Sequence, residues 1–225
     1  MLLIFGANGG VGKAVFKNAA PDPGRNARWH GVQRVTRDLC ELESEASVEN
    51  FFDRLGDIDT APAAPLYVLN ATGVCVNGIA RKYADDDLRK MVASNLEGSF
   101  RLAKHFHRVT KSRPGSSLLL LSSVVATTGV AGAAAYGMVK AGISGLVRSL
   151  SKEFSLHKLR VNCLELGYFD VGMIDKVPID LSVCLKAEIP LGRWGTETEL
   201  YEAVEFCLRC GYLTGSTVRV NGGLA

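Results

Sequence analysis

Short apolar runs alternate with longer stretches of helical period along this chain. Leu2–Phe5, Trp29–Gln33, Leu66–Asn70, Ser117–Leu121, Val161–Leu164 and Val218–Val220 predict strands. Leu118–Leu121 is apolar without alternation, as expected of a strand covered on both faces in a parallel sheet. Between the runs, apolar residues three and four apart predict helices near 11–19, 44–55, 85–111, 134–156 and 197–209. Strand–helix alternation throughout predicts an α/β fold, a single doubly wound domain over residues 1–225 with a mostly parallel sheet flanked by helices.

One interval is short. The second strand ends near Arg34 and the next element begins near Arg37, which leaves no room for a full crossover helix. Asp57–Pro65, with two prolines, reads as a loop rather than a domain boundary.

Composition changes this picture little. The 225 residues and 47% hydrophobic content suit one domain with a sizeable core. The net charge of +3, with no long basic block, argues against nucleic acid as a partner. No apolar stretch reaches the roughly 18 residues of a membrane span. Six cysteines without framework spacing, and a strand starting at residue 2 without a leading signal segment, predict a reduced, cytoplasmic protein. Cys207-x-x-Cys210 falls in an amphipathic run with no second pair or nearby histidine, so it reads as helix packing rather than a metal or redox site. No metal site is expected.

The chemistry lies in two clusters. Gly6-Ala7-Asn8-Gly9-Gly10-Val11-Gly12 follows a strand and opens a helix, where glycines allow a tight turn and backbone N–H groups can approach a pyrophosphate. A glycine-rich turn that binds nothing is the competing reading. Tyr136 and Lys140 stand one turn apart on a helix whose Ile143, Val147, Leu150 and Phe154 continue the same buried stripe. A buried ammonium needs a partner, and beside a phenol it would lower the phenol's pKa. Ser123, thirteen residues ahead of Tyr136, could hold a carbonyl oxygen at the same point. Asn95 falls on the apolar side of its helix, among Leu88, Met91, Val92, Phe100 or Leu102, and Phe106, where an amide needs a reason.

The spacing of Gly6, Gly10 and Gly12, the Ser123–Tyr136–Lys140 set, Arg160-Val161-Asn162 and the Pro190–Gly195 and Leu213–Gly223 segments resemble the short-chain dehydrogenase/reductase family across essentially the whole chain. Within the family the chain is similar to the 3-oxoacyl-ACP reductases, with a shortened region after the second strand. It implies hydride transfer between a nicotinamide and a carbonyl or alcohol. Tyr136 would be the acid/base, Ser123 the support of the substrate oxygen, and Lys140 a contact to the nicotinamide ribose. Asn95 would kink its helix and hold a water that relays protons to the lysine.

The family's pattern also implies cofactor contacts at Gly6, Asn8, Gly9, Gly10, Val11 and Gly12. Further contacts would come from the acidic–apolar pair Asp38-Leu39, from Asn70, Ala71 and Gly73, and from Gly167 and Phe169. Arg34 stands at the end of the second strand, where no carboxylate is present, and Arg37 lies close by. A basic residue there can pair with a 2′-phosphate, so NADP(H) is favoured over NAD(H).

Phe5, Leu166 and Val171 replace the family's usual threonine, proline and threonine. Residues 170–190, with Met173, Ile174, Val177, Ile179 and Leu181, would form a mostly apolar lid. Two substrate classes stay open. One is a 3-oxoacyl thioester on an acidic carrier met by Arg113, His157, Lys158 and Arg160. The other, towards which the short chain and altered lid incline the reading, is a small biosynthetic ketone or sugar-derived carbonyl. A catalytically silent cofactor-binding sensor or scaffold is the alternative of a different kind. The family's helical dimer faces, 85–111 and 134–156, imply a homodimer or homotetramer.

Overall fold

The computed structural model describes residues 1–20, 29–59, 61–172 and 179–224. Six strands form one all-parallel sheet: β1 Leu2–Phe5, β2 Val32–Val35, β3 Tyr67–Asn70, β4 Ser117–Ser123, β5 Arg160–Leu166 and β6 Thr217–Val220. Their spatial order is β2-β1-β3-β4-β5-β6. The chain leaves β1 in one direction and returns on its other side at β3, so a crevice opens at the C-terminal ends of these two strands.

Helices cover both faces. On one side α2 (Glu45–Asp53), α4 (Gly98–Thr110) and α6 (Ala134–Ser155) enclose a core containing Leu3, Phe5, Phe52, Phe106, Leu118, Leu120, Ile143, Val147 and Phe154. On the other, α1 (Gly10–Ala19) and α8 (Glu197–Arg209) cover Leu2, Ile4, Leu69, Leu119, Leu164 and Leu166. The uninterrupted apolar run of β4 is explained by this two-sided cover. Cys207 is buried in the second core, and the six cysteines are free. No group of described residues could hold a metal ion, and no described helix is long and apolar enough to cross a membrane.

The second strand lies three residues further on than the apolar run at Trp29 suggests. Trp29 instead turns into the core, donating to Tyr201 Oη at 3.1 Å and meeting Tyr67 edge-on. No element begins at Arg37. Leu39 and Cys40 both donate to the Thr36 carbonyl in a turn, and α2 carries the crossover from β2 to β3. A crossover helix is therefore present after all, entered through the Ser44 cap, whose side chain accepts from Ser47 N. β2 ends the sheet, and its outward Arg34 carbonyl accepts from the Gln33 side chain at 2.9 Å, which blunts the edge.

The long predicted helix 85–111 is divided. It comprises α3 (Asp85–Met91), a π-helical turn Val92–Glu97, and α4. Leu102, not Phe100, takes the buried place, and Phe100 is exposed. A short helix α5 (Val125–Thr128) follows β4, and α7 (Ile179–Glu188) follows β5. Met173, Ile174 and Val177 of the expected lid lie outside the described residues.

Candidate functional site

The glycine loop sits at the C-terminal end of β1, against the end of β3. Gly6 has φ +73°, and a Cβ there would lie 2.7 Å from the Ala71 and Thr72 backbone. Gly12 is tighter still, its added Cβ falling 2.4 Å from the Gly6 carbonyl oxygen. Gly10 faces Gly172, whose Cα would be 2.2 Å from a Cβ. These glycines answer first to the protein's own packing.

The start of α1, beside Gly172, has no polar side chain of its own to satisfy it. Gly9 caps it without a side-chain hydrogen bond, and its first turn carries no acidic residue. The backbone N–H groups of a helix's first turn and the positive end of its dipole fit an anionic phosphate. Val11 is partly buried and packs against the core beneath α1.

Asn70 ties this corner together. Its amide donates to Ser99 Oγ on α4 at 3.1 Å, while its oxygen accepts from Thr72 N at 3.1 Å and Thr72 Oγ1 at 2.5 Å. Arg34, exposed at the end of β2, donates to Asn8 Oδ1 in the glycine loop at 2.6 Å. Arg37 is paired with Glu41 and Glu43. Asp38 is held below the usual carboxylate range by the Thr36 hydroxyl, and Leu39 is exposed beside it.

Ser123 ends β4, its hydroxyl accepts from Val125 N at 3.3 Å, and it lies near enough to the Tyr136 phenol to pull that group's pKa down. Lys140, one turn along α6, is buried and donates to the Leu121 carbonyl at 3.0 Å. Ser122 fastens the same helix to β4 by donating to the Lys140 carbonyl at 2.8 Å. Asn95 lies in the π turn, donating to Val74 O at 3.0 Å and Met91 O at 2.9 Å. Its Oδ1 has no protein partner and points toward Gly73, beside which Lys140 Nζ also lies. A π turn re-aims one side chain within a helix, here the amide that the apolar pattern singled out.

The electrostatics differ from the expectation. Burial pushes Tyr136 up to about 12, with Cys75 adding to the rise and the neighbouring Ser123 hydroxyl opposing it. Burial lowers Lys140 to about 8, against an upward pull from Cys163 and Cys75. Lys140 does not depress the phenol in this structure because its ammonium turns to a main-chain carbonyl, and desolvation dominates both groups. Cys75, half-buried two residues beyond Gly73, was absent from the sequence-derived site; its only signal was its position just past the Asn70–Gly73 motif.

Beyond β5, Gly167 fits under β6, where a Cβ would lie 2.6 Å from Asn221 Cα. Phe169 is buried and bridges to Gly195, and its carbonyl accepts from Val171 N at 2.7 Å. That carbonyl is thus engaged in a turn. The basic surface expected for a carrier does not form beside this site. Arg113 is paired with Asp59, and Arg160 is buried, donating to the Leu208 and Cys210 carbonyls at 2.6 and 2.9 Å. Arg160, Lys158 and Arg209 line a cavity of about 610 Å³ at the N-terminal end of β5, opposite the end that carries Leu166.

A doubly wound parallel sheet with a glycine loop at its switch point and a Ser–Tyr–Lys cluster one strand away has the layout of a dinucleotide-dependent oxidoreductase. Residues 30–225 match the family model described as enoyl-(acyl carrier protein) reductase. The human 3-oxoacyl-(acyl-carrier-protein) reductase is 30% identical over 98% of this chain and 96% of its own length. The Pseudomonas aeruginosa protein of that name is 32% identical, over 95% and 86%. A solved small-chain dehydrogenase in complex with NADPH superposes with TM-score 0.83 at 19% identity, covering 99% of this chain and 97% of its own. The chain belongs to the short-chain dehydrogenase/reductase family and resembles its 3-oxoacyl-(acyl-carrier-protein) reductases.

Proposed function

We propose that this protein is an NADP-preferring carbonyl reductase that uses Tyr136 as its acid. The observation that carries the reading is the gathering of Ser123, Tyr136, Lys140 and Asn95 at the same end of the sheet as the α1 N-terminus, which has no side-chain cap and no acidic residue in its first turn. The α1 N-terminus would hold the pyrophosphate, Arg34 a 2′-phosphate, and Lys140 the ribose next to the nicotinamide. When bound, the nicotinamide supplies the hydride. Ser123 donates to the substrate oxygen and steadies its developing charge. Tyr136 Oη gives that oxygen a proton. A phenol held near 12 is protonated at neutral pH and is still a stronger acid than the alcohol being formed, which suits the reductive direction. Lys140, with a water accepted by the side-chain Oδ1 of Asn95, then forms the route by which the phenol regains its proton.

The relatives' names favour a 3-oxoacyl thioester over a small ketone or sugar-derived carbonyl. The exposed Phe100 on α4 and Met138 on α6 favour assembly through these helices into a homodimer or homotetramer. The test is turnover of NADPH with both substrate classes by the wild type and by Tyr136→Phe. The reading expects a 10²–10⁴-fold loss in the variant with nucleotide binding retained; equal turnover would remove Tyr136 from the mechanism. The sensor or scaffold reading draws on Gly172, which closes over Gly10. It would gain if the wild type bound NADPH tightly yet turned over no carbonyl.

A further inference from the structure

Arg34 and Arg37 leave the same strand end in opposite electrostatic conditions. Arg37 is neutralised by Glu41 and Glu43, whereas no carboxylate among the described residues pairs with Arg34. Arg34 is nonetheless held. Its guanidinium carbon lies 5.3 Å from the centre of the Phe16 ring, and its Nη2 donates to Asn8 Oδ1. Phe16 stands on α1 one turn beyond Gly12, and its body packs against the core under that helix. One ring therefore links the helix whose N-terminus would hold the pyrophosphate to the cation at the end of β2.

We infer that Phe16 is a positioning residue for recognition of a 2′-phosphate, an aromatic shelf that, with Asn8, orients the Arg34 fork before the nucleotide arrives. The inference rests on the NADP reading of Arg34. An exposed arginine normally samples many rotamers, and binding must then freeze them. The cation–π contact and the Asn8 hydrogen bond confine the side chain beforehand. With one nitrogen committed to Asn8, the other guanidinium donors stay free for phosphate oxygens, and the fork suits a bidentate contact.

The experiment is calorimetric titration with 2′,5′-ADP and with 5′-AMP, which differ only in the 2′-phosphate. The proteins are the wild type, Arg34→Ala, Phe16→Leu and Phe16→Tyr, with folding of each checked by circular dichroism. The wild type should prefer 2′,5′-ADP, and Arg34→Ala should abolish the preference. Phe16→Leu keeps apolar packing but loses the ring. It should weaken 2′,5′-ADP binding about 2- to 5-fold and leave 5′-AMP unchanged, with Phe16→Tyr restoring the wild-type value. Equal wild-type affinity for the two nucleotides overturns the NADP reading itself. A wild-type preference that survives Phe16→Leu intact overturns the shelf alone, as does an equal loss for both nucleotides.

Discussion

The Lys140 ammonium donates to the Leu121 carbonyl at 3.0 Å while lying 5.7 Å from the centre of the Tyr136 ring. The lysine is thus buried against the backbone of β4 rather than paired with a carboxylate, and its stability cost is written in its pKa. In the fold it gives up its proton near 8, against an ordinary 10.5 in the unfolded chain. Between those values the unfolded chain holds more protons, so the residue's contribution to stability is poorest below about 8 and improves as pH rises. Lys140→Met should therefore be more stable than the wild type at pH 7 by up to about 3 kcal/mol. That advantage should shrink by pH 10, the lower edge of the window in which Tyr136 titrates. Urea denaturation at both pH values checks this; a gap that does not change with pH would mean the ammonium is not desolvated.

Ser123 is the neighbour that opposes the rise of the Tyr136 pKa. Ser123→Ala should cost about 10²–10³-fold in kcat by removing the donor to the substrate oxygen. It should also move the tyrosine's titration further upward, visible as a loss of ultraviolet phenolate signal at high pH relative to the wild type. Loss of activity with an unmoved titration would leave Ser123 a substrate contact without influence on the phenol.

Much of this arrangement was legible in the sequence because it depends on side-chain period. Lys140 lies in register with Ile143, Val147 and Leu150, and Asn95 lies among Met91, Leu102 and Phe106, so both had to be buried. What stayed hidden depends on the main chain and on long-range geometry. Nothing in the order of residues says that the Leu121 carbonyl takes the ammonium, or that Gly172 closes on Gly10. The charges of Arg113 and Arg160 are visible in the sequence, but their partners, Asp59 and the α8 carbonyls, are not. Trp29 read as strand because its apolar character is real; the fold spends it on packing against Tyr67 and Tyr201.

Asn95 gives the π turn its purpose and some of its stability. Its amide satisfies Val74 and Met91 carbonyls across the start of the turn. Asn95→Ala should cost about 1–3 kcal/mol. If the amide oxygen serves proton return, kcat should fall while the substrate KM stays near the wild-type value. Thermal unfolding and steady-state kinetics separate the two effects, and an unchanged kcat in a destabilised variant would make Asn95 purely structural.

Gly6 and Gly192 have nearly the same backbone, at φ +73° and +67°, but different surroundings. A side chain at Gly192 meets nothing within 4 Å, whereas at Gly6 it meets the Ala71 and Thr72 backbone at 2.7 Å. Gly192→Ala should therefore lose only the left-handed backbone penalty, about 1–2 kcal/mol. Gly6→Ala adds a clash with main chain that no rotamer relieves. It pushes the glycine loop away from the end of β3, so the loss should exceed about 4 kcal/mol or prevent folding altogether. Chemical denaturation of the two variants checks the contrast. Similar losses at both positions would mean that the glycine loop can move off β3 cheaply, and that Gly6 is kept for its φ alone.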